Sequence, residues 1–181
     1  MPRIIGERII LREYKKDDIE HMRKWVNDPE VVDFLSDIFL FPHTINTTED
    51  YVNSVLKGGH KDSCNFIIAK RETEEYVGQI DLIHIDWKNR VSEIGIVLGA
   101  EENRNNGFGT EAIKLLQSYV FNRLNLNRLE IKVRDFNIRA QRCYTKCGFK
   151  EEGRLRQNFF INGNYADSIL LSLLKSEYEM L

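Results

Sequence analysis

Between residues 102 and 116 the chain reads ENRNNGFGTEAIKLL: polar residues, two glycines one residue apart, then an apolar-periodic run. Glycines let a backbone approach a ligand closely, and the free N–H groups of a helix start attract an anion, so the spacing suits a phosphate. Further along, NIRAQRCYTKC (137–147) carries the phenol of Tyr144 and the thiols of Cys143 and Cys147. Upstream, Glu93 in VSEIGIVL alternates onto the same strand face as Gly95 and Val97, where a carboxylate can accept a proton. His21, His43, His60 and His84 are scattered singly with no HExxH or Cys/His cluster, so no metal centre is expected. Three cysteines without CxxC spacing read as reduced, buried thiols.

The elements that must position these residues follow from periodicity. RIILREY (8–14) is strand-like, and KKDDIEHMRKWVND is an amphipathic helix with Ile19, Met22, Trp25 and Val26 inward, stopped at Asp28-Pro29. VVDFLSDIFLFPHT is an apolar loop or short helix. Thr47 or Thr48 caps a second helix reaching about Lys57, which Gly58-Gly59 ends. CNFIIAK, YVGQIDLIHID and VSEIGIVLGA, separated by short polar turns, form an antiparallel meander. From Thr110 to Arg123 a broad apolar stripe predicts a helix buried against a sheet. RLEIKVRD is a half-buried strand, Asn137 caps a short helix, and strands around a turn at Asn162-Gly163-Asn164 close the chain. The expected fold is α+β: one domain over 1–181, with a mostly antiparallel central sheet flanked by helices.

Composition removes several functions. The 181 residues carry 26 basic and 28 acidic side chains, a net charge of −2, so no basic field points to nucleic acid. No apolar run approaches the roughly 18 residues of a membrane span, and MPRIIGERII lacks a signal-peptide core, so a cytoplasmic protein is expected.

The glycine loop admits three readings. Gly107, Gly109 and Ala112 satisfy GxGxxG/A, with Glu130 downstream, but EENRNN separates the glycines from their strand and too little chain follows for a doubly wound sheet. A nucleotide-triphosphate loop needs GK[ST], where this chain has Gly109-Thr110-Glu111. Arg104-Asn105-Asn106-Gly107-Phe108-Gly109 instead fits Arg/Gln-x-x-Gly-x-Gly/Ala between a strand and a helix. That segment resembles the acyl-CoA pyrophosphate loop of the GNAT N-acetyltransferases. Asn137, Ala140, Tyr144, Lys146, Gly148 and Phe149 resemble the second signature of that superfamily, NxxAxxxYxKxGF. Residues 7–31 are similar to the opening of its ribosomal-protein-alanine acetyltransferase branch, and 153–178 to that branch and to spermidine acetyltransferases.

The resemblance implies acetyl transfer from acetyl-CoA to an amine by direct attack, with no metal. It implies that Ile96, Val97 and Leu98 hold pantetheine through their main chain, and that residues 104–110, including Thr110, cradle the diphosphate. Asn137 and Arg139 complete the donor site, Asn137 also serving as a helix cap. Tyr144 is the implied general acid; its alternative is a packing aromatic. Glu93 is either a base or a solvated or paired carboxylate. Asp33, Asp37 and Asp81 on the acceptor side either attract a cation or are merely solvated. A protein N-terminal amine is the favoured acceptor, with a polyamine or other small amine as alternative, and a homodimer is expected of this branch. An acyl-CoA-binding module without activity is the non-enzyme alternative.

Overall fold

The computed structural model describes residues 3–58 and 61–181, in which eight strands form one sheet. They are β1 (Ile4–Ile5), β2 (Ile9–Arg12), β3 (Cys64–Lys70), β4 (Tyr76–Asp86), β5 (Val91–Leu98), β6 (Arg128–Arg134), β7 (Lys150–Ile161) and β8 (Asn164–Leu174). The spatial order is β1-β2-β3-β4-β5-β6-β8-β7, and β5 with β6 is the one parallel pair. The expected meander is β3-β4-β5, and the expected closing hairpin turns at Asn162-Gly163. β1 is too short to leave a periodic signal.

Helices α1 (Asp18–Arg23), α2 (Pro29–Val32) and α3 (Ile45–Leu56) lie over one face of the sheet. There Met22, Trp25, Val31 and Val52 pack with Ile10, Ile67, Ala69 and Val97. Helices α4 (Phe108–Ser118) and α5 (Ile138–Lys146) cover the other, where Ala112, Ile113, Leu116 and Tyr144 join Ile80, Leu82, Leu129 and Ile131. A last turn, α6 (Lys175–Tyr178), follows β8. Among the described residues no helix is long and apolar enough to cross a membrane.

Local chemistry moves two boundaries from their expected places. The cap of α3 is Thr44, whose Oγ1 accepts from the Thr47 amide at 3.1 Å in place of Thr47 or Thr48 doing the capping. Thr48 is instead buried and accepts from Arg23 at 3.1 Å. Gly58 follows that helix with φ +109°, while Gly59 and His60 lie outside the described residues. Helix α4 starts at Phe108, two residues before the expected Thr110, and continues past Ser118 as a π-helical turn, Tyr119–Arg123.

A buried ion pair fixes α1 to the sheet. Arg12 and Asp18 are each 3% exposed and meet through two hydrogen bonds of 2.9 and 2.8 Å, while the Lys15 amide donates to Asp18 at 2.7 Å. Such a pair is costly to desolvate, but breaking one side is worse, because it leaves an uncompensated charge. Asp18→Ala should therefore cost about 3–5 kcal/mol of stability, read as a lower midpoint in urea denaturation. A change under about 1 kcal/mol would mean that water reaches Arg12.

Candidate active site

β5 and β6 are paired only at Val91–Arg128, Ser92–Leu129 and Glu93–Glu130. Beyond that point β5 stays paired with β4 through Leu98, and β6 with β8 through Arg134, so the two parallel strands part. The edge of β5 from Gly95 to Leu98 that faces β6 is left without a ladder. Main-chain donors and acceptors there need a partner, and an extended amide-bearing ligand supplies one in the manner of an added strand. Ile96 and Val97 line the resulting cleft, of about 980 Å³, together with Ile131, Val133 and Tyr144.

The glycine loop sits where β5 ends. After a 3₁₀ turn, Glu101–Asn103, Asn105 adopts φ +62°, the Asn106 amide group donates to the Glu102 carbonyl at 2.6 Å, and Gly107 adopts φ +80° as the cap of α4. A Cβ at Gly107 would meet the Arg8 guanidinium at 3.1 Å, so both conformation and contact demand glycine. At Gly109 a Cβ would lie 3.6 and 3.9 Å from Leu98 and Cys143, ordinary contact distances, so neither conformation nor packing demands glycine there. Phe108 lies under Arg8, the guanidinium carbon 5.1 Å from its ring centre. Arg104 donates to the Gly99 carbonyl at 3.3 Å. Thr110 is turned away from the loop's outer face, its hydroxyl 3.3 Å from Cys143 Sγ. The first turn of α4 therefore presents main-chain N–H groups and a positive dipole end, which is what a diphosphate requires.

Helix α5 flanks the gap. Asn137 Oδ1 accepts from the Ala140 amide at 3.2 Å, so the capping role is real. Asn137, Arg139 and Arg104 line a second cavity of about 950 Å³, which meets the first at Phe34. Tyr144 is 8% exposed, and its hydroxyl makes no hydrogen bond to the described residues. Burial raises its phenol pKa well above the usual value, so it holds its proton at neutral pH. Gln117 donates to the Cys147 carbonyl at 2.8 Å, tying α4 to α5. Glu93 lines the same cleft as Tyr144 and is paired with Lys132 at 3.3 Å. A Cβ at Gly95 would touch Ile83 Cδ1 at 3.0 Å, so glycine keeps this stretch of β5 open.

Residues 8–150 match the family model described as the acetyltransferase (GNAT) domain. The chain belongs to the GNAT acetyltransferases. It is 32% identical over 180 residues to an uncharacterised N-acetyltransferase, p20, of Bacillus licheniformis, covering 98% of this chain and 99% of that one. A spermidine N(1)-acetyltransferase of Vibrio cholerae is 26% identical over 174 residues, covering 96% of this chain and 97% of that one. A crystal structure of spermidine N-acetyltransferase from Vibrio cholerae with CoA and spermine superposes with a TM-score of 0.84, at 26% identity, over 96% of this chain and 99% of that one. The protein is thus an acetyl-CoA-dependent N-acetyltransferase, and the parted strands and glycine loop fit that cosubstrate.

On the acceptor side of this acetyltransferase the structure adds what the sequence hid. Asp81, for which the sequence left open a cation-attracting or a merely solvated carboxylate, is half-buried in the cleft, opposite Gly95 in the β4–β5 register. The hydroxyls of Tyr14 and Tyr51 each lie 3.5 Å from its carboxylate oxygens, and the two rings meet edge to face. Two residues away on β4, Gln79 lines the same cleft with a buried Oε1 that has no hydrogen-bond partner among the described residues. The alternation Gln79, Asp81 within an apolar strand was the available signal. Asp33 accepts from Asn162 at 3.2 Å and Asp37 is exposed; neither has Asp81's setting.

Burial raises the Asp81 carboxyl to about 7, outweighing hydrogen bonds from Asn65, the Phe66 amide, Tyr51 and Tyr14 that favour its charged form. The unfolded carboxyl titrates near pH 4, so between about pH 4 and 7 the folded state holds the extra proton. The stability this contributes is present below pH 4 and lost as pH rises through 7. At pH 8, Asp81→Asn should therefore melt several degrees above the parent, at about 2–4 °C per kcal/mol for a chain of this size. The advantage should shrink toward pH 4. Equal melting temperatures at pH 8 would mean that the carboxylate is solvated.

Proposed function

We propose that this enzyme acetylates a primary amine of a small polyamine-class acceptor, received in the cleft by Asp81. The observation that carries the reading is the half-buried Asp81 carboxylate between two tyrosine hydroxyls, beside the unpartnered Gln79 oxygen. An ammonium group offers several donors and one positive charge, and this cluster offers acceptors and aromatic walls. The spermidine acetyltransferases among its relatives support the same class. A protein N-terminal amine, the acceptor that the sequence favours, is the second reading. It draws on the apolar lip, where Ile38 lines the cleft and Leu40 and Phe41 are 72% and 74% exposed.

In the proposed mechanism the main chain of Ile96, Val97 and Leu98 orients the donor. The amides of the 104–110 loop hold its diphosphate, with Asn137 and Arg139 alongside. Bound acetyl-CoA supplies the acetyl group as a thioester. Asp81 draws the ammonium into the cleft and takes its proton, which frees the nitrogen lone pair for direct attack. Glu93, already paired with Lys132, serves as the alternative proton acceptor through water. Tyr144 gives its phenolic proton to the departing sulfur as the C–S bond breaks, and the second proton shed by the newly acylated nitrogen returns to the phenolate through water. Cys143 is not called on, since its sulfur faces Thr110.

Acetyl-CoA turnover, followed as thiol release across spermidine, spermine, N-terminal peptides and aminoglycosides, tests the acceptor. Polyamines should give the highest kcat/KM, and turnover of peptides alone would overturn the assignment. Turnover of nothing in the panel, with acetyl-CoA still bound, would favour the binding-module reading. For the polyamine, kcat/KM should fall as pH drops below about 7, where Asp81 gains its proton. Asp81→Asn should lower kcat/KM and flatten that limb.

Tyr144→Phe removes only a hydroxyl. Loss of a general acid should lower kcat by about 10²–10⁴-fold with little change in the acetyl-CoA KM. The defect should shrink with a donor whose thiol leaves more readily. Parent rates in single-turnover measurements with both donors would return Tyr144 to a packing role.

A further inference from the structure

The glycine loop is held from outside by a residue almost a hundred positions earlier. Arg8, just before β2, spans the start of α4: its Nε donates to Glu111 Oε2 at 2.9 Å and one terminal nitrogen donates to the Asn106 carbonyl at 2.8 Å. The guanidinium lies over the Phe108 ring, and its other terminal nitrogen is the group nearest the position of a Cβ on Gly107. Glu111 receives the Arg8 and Ile9 amides as well, at 2.8 and 3.3 Å. Asn106 and Phe108 thus touch one side chain, which also takes the space that a side chain on Gly107 would need.

This arrangement answers an electrostatic difficulty. Glu111 lies in the first turn of α4, where the diphosphate of the donor is to be held. Desolvation works to raise its pKa, but the Arg8 amide and guanidinium and the Ile9 amide outweigh that and hold the carboxyl below its usual range. It is therefore an anion beside an anion-binding site, and would repel the diphosphate if left unpaired. Arg8 neutralises it in the same contact that fixes the turn. The contact through Asn106 engages the carbonyl of that residue with the same guanidinium.

We infer that Arg8 is a positioning residue for acetyl-CoA: it sets the shape and the charge of the diphosphate cradle while taking no part in acetyl transfer. The inference rests on the family's donor and is independent of which amine is acetylated. A purely structural role would disturb every donor alike, whereas a cradle role is selective for the diphosphate.

The test compares Arg8→Ala, Arg8→Lys and the parent with two donors, acetyl-CoA and acetyl-pantetheine, which carries the same thioester without the nucleotide diphosphate. Arg8→Ala should weaken acetyl-CoA binding in calorimetry by roughly 10- to 100-fold, the range for losing a charge-assisted hydrogen bond. Its KM for acetyl-CoA should rise in parallel, with kcat within about twofold. Its kcat/KM for acetyl-pantetheine should match the parent. Arg8→Lys, which keeps the charge and loses the two-pronged contact, should fall between them and keeps the test available if the alanine variant does not fold. Parent-like affinity for acetyl-CoA in both variants, or equal losses with both donors, would overturn the inference.

Discussion

The structure depends on one parting of strands. β5 and β6 are the single parallel neighbours in the sheet, and they stay together for three residue pairs before each follows its other partner. Parallel neighbours need a crossover between them, and here α4 makes it. The start of that helix is consequently placed at the end of the strand whose free edge lines the gap. A main-chain surface for an extended ligand and an anion site for its phosphates thus arise from one topological choice. Tyr144 reaches the gap because α5 packs beside α4 on the same face.

The opposite face serves a different need. There the cleft wall carries Asp81, Gln79, Tyr14 and Tyr51 among Ile67, Val97 and Trp25. Burying a carboxyl and an unpartnered amide oxygen costs folding free energy, unlike the Arg12–Asp18 pair, in which each charge meets its counter-charge. The cleft wall at Asp81 and Gln79 therefore opposes stability, where the main-chain edge of β5 does not.

Much of the scaffold was legible because it is local. Strand periodicity in CNFIIAK and YVGQIDLIHID places β3 and β4 at their observed limits, and the Asn137 cap follows from one residue type at one position. Failures begin where a decision is shared between distant residues. Thr44 caps α3 rather than Thr47, since Thr48, one residue on, is drawn inward to Arg23 from α1. The two readings of Asp81, cation-attracting or solvated, stayed open because nothing near it in sequence announces Tyr14 and Tyr51. Arg8 was invisible for the same reason: Asn106, Phe108 and Glu111 give it meaning only once β2 lies against α4.

The bridge from Gln117 to Cys147, with Thr110 against Cys143, fastens the helix that begins the diphosphate cradle to the helix that carries the phenol. The start of α4 and Tyr144 therefore share one frame of reference. The other wall is built of shorter pieces: α2 has four residues, and the segment before α3 holds a single 3₁₀ turn. The cleft thus sets a wall of short pieces against a floor of two helices fastened to each other.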